Sequence, residues 1–316
     1  MKICVTGAAG FIGSNLTEKL LADGHEVIGI DCFNTFYPPE TKRRNLLQAH
    51  ASKAFTLLEV DITDADKLQT ALAAHPPEAI IHLAARAGVR PSIEEPALYN
   101  EVNIQGTLRL LEIARHQGIK KFVFGSSSSV YGINAKVPFS ESDPIFNAIS
   151  PYAATKLAGE ALCHVYHHLY GIDIPCLRFF TVYGPRQRPD LAIHKFTKFI
   201  NEGRPIQQFG DGSTKRDYTF VTDIVEGICA ALYKPVGYEI FNLGNSHPTP
   251  LLDLIGLIER NLGKVAKIEY LPEQPGDVPI TFADVSKAKD MLGYEPQVLI
   301  EEGIARFVEW FLEQNG

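Results

Sequence analysis

The chain opens with Met1-Lys-Ile-Cys-Val-Thr-Gly7-Ala-Ala-Gly10-Phe-Ile-Gly13, and the pattern of this segment is the main indication of the fold. Residues 2–6 have the apolar character of a short buried strand, and residues 14–22 carry apolar side chains at helical spacing. Glycines at positions 7 and 10 would keep Cβ atoms away from a ligand, and Gly13 would let the helix lie close to the sheet. The amino end of the helix offers free N–H groups, so the pattern predicts an anion site. A glycine-rich turn without a ligand is the alternative.

A carboxylate follows the next predicted strand, residues 26–30. Asp31 comes 18 residues after Gly13, about where a carboxylate meets the adenosine ribose of a bound dinucleotide. It would accept a hydrogen bond from a 2′-hydroxyl and repel a 2′-phosphate. The sequence therefore predicts NAD, rather than NADP, as the cofactor; a turn or helix-capping aspartate is the alternative.

The composition is that of an acidic globular protein. The 316 residues are 45% hydrophobic and carry a formal net charge of −7, so a basic surface for nucleic acid is not expected. The chain enters its first strand at residue 2 without a signal-like segment, and no apolar run reaches the ~18 residues of a membrane span, so we expect a cytoplasmic protein. Five widely spaced cysteines without a C-x-x-C motif predict reduced thiols rather than disulfides or a zinc site.

Strand and helix patterns alternate through the first half of the chain. The predicted strands there are 55–60, 79–83, 121–125 and 174–178, and the predicted helices are 65–74, 96–117 and 151–170. This alternation is typical of an α/β protein with a Rossmann-type, doubly wound parallel sheet, in which ligands bind at the carboxyl ends of the strands. We expect an NAD-binding domain at 1–180, to which 219–246 returns, and a smaller C-terminal substrate-binding lobe formed mainly by 181–316.

The second half is less regular. Its predicted elements are the helices 192–202, 222–233, 251–262 and 301–313 and the strand 238–242, with a loop at 209–217. In the first half, Asp61 and Ile62 follow a strand and could contact the adenine, although a helix-capping aspartate is an equal reading. Asn103 lies inside a predicted helix, where an amide does not favour helix formation and could brace the strand ends.

Tyr152 and Lys156 lie four residues apart near the start of a predicted helix, so their side chains share one face. A neighbouring ammonium and a nicotinamide cation would both favour the phenolate form of a tyrosine base. Ser126 to Ser129 follow the strand 121–125 and place hydroxyl groups at the same edge of the sheet. A chance pair on a helix and a solvated serine loop are the alternatives for each pattern taken alone.

These motifs together resemble the extended short-chain dehydrogenase/reductase superfamily, and within it the NAD-dependent nucleotide-sugar epimerases. The segments 178–185, 215–223 and 274–278 also match that group in order. The resemblance implies that Tyr152 is the base, that Lys156 tunes it and holds the nicotinamide ribose, and that Ser127 assists, with Ser128 as the weaker candidate. The implied cofactor-binding set is Gly7, Gly10, Phe11, Ile12, Gly13, Asp31, Asn34, Asp61, Ile62, Leu83, Ala84, Ala85, Asn103, Tyr152, Lys156 and Phe179.

The subfamily is indicated by what stands beside these residues. Related 4,6-dehydratases carry an Asp-Glu pair, and the uronate decarboxylases a glutamate, where this chain has serines, so elimination is disfavoured and epimerisation is expected. Segments 85–92 and 184–190 look more like the UDP-glucuronate 4-epimerases than the UDP-glucose 4-epimerases. The implied substrate-binding set is Ala87, Gly88, Arg90, Ser127, Ser128, Tyr152, Thr181, Arg188, Arg216 and Asp277.

Within that set, Arg188 is the first choice for the C6 carboxylate, because a guanidinium pairs well with a planar carboxylate. Arg216 would bind the diphosphate, with Asp277 near the uridine ribose or Arg216. Alternatively, four arginines bind the diphosphate or are surface residues: Arg86, Arg90, Arg186 and Arg188. The implied reaction inverts C4 of UDP-glucuronate through a 4-keto sugar. Three other functions stay open: a UDP-glucose 4-epimerase, a UDP-glucuronate decarboxylase and a non-catalytic NAD-binding regulator.

Two further expectations concern metals and assembly. His164 and His168 share a helix face, but no third ligand is apparent and the reaction needs no metal, so we expect no metal site. The helices 96–117 and 151–170 are long enough to pair across a twofold axis, as in related enzymes. A homodimer is therefore expected.

Overall fold

The computed structural model describes residues 1–134, 136–272 and 280–315. Within them the strands are β1 (Lys2–Thr6), β2 (Glu26–Asp31), β3 (Phe55–Glu59), β4 (Ala79–His82), β5 (Lys121–Ser127), β6 (Ile174–Phe179), β7 (Thr181–Tyr183), β8 (Pro205–Phe209), β9 (Lys215–Phe220), β10 (Tyr238–Leu243), β11 (Pro248–Pro250), β12 (Lys267–Leu271) and β13 (Ile280–Thr281).

The helices of the same residues are α1 (Phe11–Ala22), α2 (Pro39–Asn45), α3 (Leu47–His50), α4 (Ala65–Ala74), α5 (Val89–Glu94), α6 (Pro96–Asn100), α7 (Gly106–Gln117), α8 (Pro151–Tyr170), α9 (Ala192–Asn201), α10 (Val221–Tyr233), α11 (Leu251–Leu262), α12 (Ser286–Leu292) and α13 (Ile300–Asn315). A π-helical turn, Glu101–Gln105, joins α6 to α7, and a 3₁₀ turn, Ser128–Tyr131, follows β5. No helix of the described residues is both long and apolar enough to cross a membrane.

Seven strands form the central sheet in the order β10-β6-β5-β4-β1-β2-β3, and all the pairings are parallel. Side chains alternate between the two faces, so Ile3 and Val5 pack with α1 and α10, whereas Cys4 packs with α4, α7 and α8 on the opposite face. Helices therefore cover both faces of a parallel sheet, as a doubly wound fold requires. The predicted α/β Rossmann-type class is confirmed.

The remaining strands lie in two small sheets. β9 pairs with β7, β11 and β13, and β8 pairs with β12. β10 lies beside β6 at the edge of the central sheet, so the chain crosses back after building part of the smaller sheets. The helices α9, α11 and α13 pack around these sheets with buried apolar faces.

Three elements differ from the sequence predictions in ways that concern the cleft or the small sheets. α1 begins at Phe11, three residues before the predicted start, so Gly13 lies inside the first helical turn. The predicted helix 96–117 is interrupted by the π-helical turn, and the predicted loop 209–217 ends inside β9. Strands of two to six residues such as β7, β9 and β13 depend on distant pairing partners, so local periodicity does not reveal them.

Candidate functional site

A cleft of about 720 Å³ opens at the carboxyl ends of the central strands and is closed on its other side by residues of the small sheets. Its size is in the range of ligand-binding pockets. Of the predicted site residues that the structure describes, all line the cleft except Asn103 and Ser128. Asp277 lies outside the described residues, as does the segment 274–278.

The glycine turn leaves room for a dinucleotide. Gly7 has φ +72°, and a Cβ on Gly13 would lie 2.1 Å from the Gly7 carbonyl oxygen, so both positions require glycine for the turn itself. A Cβ on Gly10 would meet Gly7 O at 3.1 Å and no other described heavy atom within 4 Å. No described side chain caps the start of α1. These free N–H groups fit a pyrophosphate.

Asp31 ends β2 as a buried carboxylate on the wall of the cleft. Its Oδ2 accepts from Ala9 N at 3.2 Å and its Oδ1 from Phe33 N at 2.9 Å. Burial raises the pKa of Asp31, and the ammonium of Lys42, 3.9 Å away, opposes that rise. The carboxylate is thus fixed in position, with lone pairs left for a ribose hydroxyl.

Lys42 is a cleft residue that the sequence analysis missed. It is buried, it donates to Asn34 Oδ1 at 2.9 Å, and burial lowers its pKa. The sequence around it, Glu40-Thr-Lys-Arg-Arg44, has the charge density of a surface helix. No local pattern separates this lysine from its exposed neighbours Arg43 and Arg44.

Asn103 stands behind the cleft wall. It is buried in the π-helical turn, where its Oδ1 accepts from Arg86 N at 2.8 Å and its Nδ2 donates to Arg86 O and to Thr155 Oγ1, both at 3.0 Å. Thr155 in turn donates to Tyr152 O at 2.8 Å. The amide thus braces the loop after β4 against α8.

Tyr152 and Lys156 both lie in the first turns of α8. Ser150 caps this helix by accepting from Ala153 N at 3.1 Å, and Pro151 occupies its first position. The Lys156 ammonium donates to Gly125 O at 2.6 Å and lies 5.9 Å from the centre of the Tyr152 ring. Burial lowers the pKa of Lys156 to about 8.

The pKa of the Tyr152 phenol responds to its burial and to two neighbouring residues. Burial raises the pKa, and the Ser127 side chain and the positive charge of Arg188 oppose that rise. The guanidinium of Arg188 therefore acts electrostatically on the Tyr152 phenol.

The four serines after β5 have separate surroundings. Ser126 is buried and donates to Glu160 Oε1 at 2.6 Å, and Glu160 also forms a two-bond ion pair with Arg178. Ser127 lines the cleft, and its Oγ accepts from Ser129 N at 3.2 Å. Ser128 begins the 3₁₀ turn and does not line the cleft. Of the two candidate assisting serines, Ser127 therefore lines the cleft and Ser128 does not.

Arg188 enters the cleft from the segment after β7. Its Nε and Nη2 donate to both carboxylate oxygens of Asp190, and its guanidinium carbon lies 5.0 Å from the centre of the Phe36 ring. Thr181 begins β7 and lines the same region. Further lining residues that the sequence analysis did not single out include Phe36, Tyr37, Gln187 and Asp190.

The other predicted arginines lie elsewhere in the cleft. Arg90 is exposed on α5, 5.6 Å from the Phe209 ring at the end of β8, and Arg216 donates from Nη1 to Lys215 O at 2.9 Å.

Outside the cleft, the rings of His164 and His168 stack at 6.4 Å, and His164 packs edge-on against Tyr238 at 5.0 Å. Among the described residues, no group of three or more His, Cys, Asp or Glu side chains is arranged to hold a metal.

The chain is similar to known proteins along its whole length. The model of the NAD dependent epimerase/dehydratase family matches residues 3–244. The chain is 47% identical to the UDP-glucuronate 4-epimerase of Thermodesulfobacterium geofontis, over 98% of this chain and 95% of that protein.

Two solved structures superimpose closely. The UDP-glucuronic acid 4-epimerase of Bacillus cereus, in complex with UDP-glucuronic acid and NAD, is 40% identical with a TM-score of 0.92, covering 99% of this chain and 100% of that one. The UDP-glucose 4-epimerase of Thermotoga maritima, with UDP-glucose, is 36% identical with a TM-score of 0.92, covering 100% of both chains.

Proposed function

The chain belongs to the NAD dependent epimerase/dehydratase family, and on that premise we propose that it inverts C4 of UDP-glucuronate to give UDP-galacturonate. The observation that carries the proposal is the place of Arg188, which lies close enough to Tyr152 for each to shift the pKa of the other. A guanidinium beside the base suits a sugar whose C6 is a planar carboxylate. The similarity to proteins named UDP-glucuronate 4-epimerase supports the same substrate.

NAD, when bound, would accept the C4 hydride and return it to the opposite face of the sugar. The residues that would hold it are the glycine turn, Asp31 at the adenosine ribose and Lys156 at the nicotinamide ribose. We assign 1–180 together with 219–246 to NAD binding, and 181–316 mainly to the UDP-sugar. The cleft between the central sheet and the small sheets supports this division, because both parts line it.

The proton chemistry belongs to Tyr152 and Ser127. Tyr152 takes the proton of the sugar 4-hydroxyl, directly or through Ser127, and gives it back when the 4-keto sugar is reduced. The Ser127 side chain lowers the pKa of the phenol and so favours the phenolate. Lys156 stays largely an ammonium below pH 8, where it holds the end of β5 through Gly125. The 4-keto sugar must rotate between the two steps to present its opposite face, so the UDP is held firmly and the sugar loosely.

A uronate substrate can also undergo a side reaction, decarboxylation, because its 4-keto intermediate is a β-keto acid that loses carbon dioxide readily. We assign Arg188 and Thr181 to hold the carboxylate close to the plane of the ring, where the breaking C–C bond does not align with the ketone. Both residues line the cleft. Arg216 and Asp277 are assigned to the diphosphate and the uridine end.

One assay tests the function: UDP-glucuronate is incubated with the purified protein without added nicotinamide cofactor, and the product is identified by NMR. The expected product is UDP-galacturonate, and the Tyr152→Phe variant should lose turnover. Release of carbon dioxide as the main reaction would instead identify a decarboxylase. UDP-glucose epimerisation is the second candidate, because the Thermotoga maritima enzyme superimposes equally well, and faster turnover of UDP-glucose would favour it.

We also propose a homodimer that pairs α7 and α8 across a twofold axis. Val165 and Leu169 on α8 are apolar and well exposed, as an uncovered interface would be. A Leu169→Glu substitution should shift the protein from dimer to monomer in sedimentation equilibrium. A cytoplasmic location is proposed from the five free cysteines, which fit a reducing compartment.

A further inference from the structure

Arg86 shares an aromatic platform with Arg188. Its guanidinium carbon lies 5.5 Å from the centre of the Phe36 ring, and that of Arg188 lies 5.0 Å from the same centre. Phe36 belongs to the loop between β2 and α2, Arg86 to the loop after β4 and Arg188 to the segment after β7. Three separate segments thus bring two cations together on the wall of the cleft.

The backbone of Arg86 is held firmly. Its N–H donates to Asn103 Oδ1 at 2.8 Å, and its carbonyl accepts from Asn103 Nδ2 at 3.0 Å. Asn103 is buried in the π-helical turn, a feature often found at functional sites. The backbone of Arg86 is thus fixed at the wall of the cleft, and its guanidinium lies beside Phe36.

The charges around Phe36 do not balance. Lys42 faces Asp31 at 3.9 Å, and Arg188 forms its two-bond pair with Asp190, so each of these cations has an acidic neighbour. Within the described residues, Arg86 has no acidic side chain in ion-pair distance. Burial raises the pKa of Tyr99, and the positive charges of Arg188 and Arg86 both oppose that rise, as expected for two guanidinium groups on the same wall of the cleft. The set Arg86, Arg188 and Asp190 carries a net charge of +1.

We propose that Arg86 is a specificity-determining residue that supplies the net positive charge for the substrate carboxylate, while Arg188, held by Asp190, orients that carboxylate. This inference rests on the proposed function. The neutralised Arg188–Asp190 pair offers geometry but little net attraction, and a second carboxylate beside Asp190 requires a further cation. A diphosphate, from UDP or from the cofactor, is the other anion that Arg86 could bind, and the experiment separates these sources.

Binding of three ligands to the NAD-loaded protein tests the role of Arg86. Dissociation constants for UDP-glucuronate, UDP-glucose and UDP are measured by calorimetry for the wild type, Arg86→Gln, Arg86→Lys and the matched control Arg90→Gln. Arg86→Gln should weaken UDP-glucuronate by about tenfold or more and change the other two ligands by less than about twofold. Arg86→Lys should retain more of the UDP-glucuronate affinity. Arg90→Gln, which removes a cleft cation near Phe209, should weaken all three ligands alike.

If Arg86→Gln weakens the binding of all three ligands equally, the proposal is wrong and Arg86 binds the UDP diphosphate. If the variant loses its bound NAD, the proposal is also wrong and Arg86 binds the cofactor. Unchanged binding would also overturn it. Phe36→Leu removes the platform without changing the charge and should weaken UDP-glucuronate selectively; melting curves confirm folding of each variant. If the wild type binds UDP-glucuronate no more tightly than UDP-glucose, both the substrate assignment and the role of Arg86 are wrong. If the wild type prefers UDP-glucuronate and Arg86→Gln keeps that preference, only the role of Arg86 is wrong.

Discussion

Arg188 donates through Nε and Nη2 to the two carboxylate oxygens of Asp190, at 3.0 and 2.7 Å. The Arg188 side chain is 16% exposed and that of Asp190 is 47% exposed, so the acid lies on the solvent side of the pair. The two bonds fix the plane of the guanidinium. They leave Nη1, which has no partner among the described hydrogen bonds, for a ligand carboxylate.

Arg188→Ala should lower kcat/KM for UDP-glucuronate by roughly 10- to 100-fold, because a charge-assisted contact to the carboxylate is lost. Part of the remaining turnover should release carbon dioxide and a UDP-4-keto-pentose, since the β-keto acid is no longer restrained. Both products are followed by NMR, with UDP-glucose as the control substrate that lacks the carboxylate. Full activity on UDP-glucuronate without any keto-pentose would contradict the assigned role.

Ser127→Ala should lower kcat by about 10- to 100-fold, because Tyr152 loses the neighbouring hydroxyl that lowers its pKa. Ser128→Ala is the matched control, since its hydroxyl does not line the cleft, and its kcat should stay within about twofold of the wild type. Steady-state rates at saturating substrate compare the two variants. A larger loss in Ser128→Ala than in Ser127→Ala would reverse the assignment of the assisting serine.

The pH profile of the enzyme should report Lys156. Burial lowers the pKa of this lysine to about 8, so the ammonium is present below that pH and is lost as the pH rises through it. We expect kcat/KM to fall on the alkaline side of about pH 8. In Lys156→Arg the charge persists far above that pH, so the alkaline fall should move upward by more than a unit even if the maximum rate is lower. An unmoved alkaline limb would assign it to another group.

Gly10→Ala should mainly lose NAD binding, whereas Gly13→Ala should mainly lose stability. A Cβ on Gly10 meets only Gly7 O among the described heavy atoms, at 3.1 Å, a contact that a small shift of the turn relieves, so this variant should be destabilised much less than Gly13→Ala. The added methyl group takes up room that the pyrophosphate needs, so the variant should bind at least about tenfold less NAD. A Cβ on Gly13 would lie 2.1 Å from the same oxygen, so that variant should be destabilised by several kcal/mol. NAD content and melting temperature, measured on both proteins, distinguish the outcomes. Normal NAD content in Gly10→Ala would show that this turn does not hold the phosphates.

His82 should make the fold sensitive to acid. It is buried between Thr6 and Thr107, with ring nitrogens 2.8 and 2.9 Å from their hydroxyls, and burial lowers its pKa to about 3. The unfolded chain takes up this proton near pH 6.5, which the folded chain does not, so stability falls as the pH drops from about 6.5 toward 3. Between pH 7 and pH 5 this group should cost about 2 kcal/mol.

Urea unfolding of the wild type and His82→Gln at both pH values measures this effect. Glutamine can keep a hydrogen bond in the same place but does not titrate, so the variant should lose about 2 kcal/mol less than the wild type between pH 7 and pH 5. Equal losses in the two proteins would mean that His82 is protonated in the folded state.

Much of the catalytic framework could be predicted from local patterns. The glycine turn, the strand-end position of Asp31 and the Tyr152/Lys156 spacing each depend on neighbours within a few residues, so their backbone geometry follows from the local sequence. The order of strands and helices in the first half followed from periodicity for the same reason. The π-helical turn did not, because its i to i+5 bonding has no residue signature distinct from an α-helix.

The fold class, the family and the residue types of the proposed catalytic set could be predicted from the sequence, because each depends on short segments with a regular internal spacing. Which charged side chains lie close together became clear from the folded chain alone. Phe36, Arg86 and Arg188 lie far apart along the chain, Lys42 looks like a surface residue, and Ser127 differs from Ser128 only in the direction that the end of β5 gives it. Contacts of that kind depend on how distant loops close over the sheet, and no local periodicity encodes them.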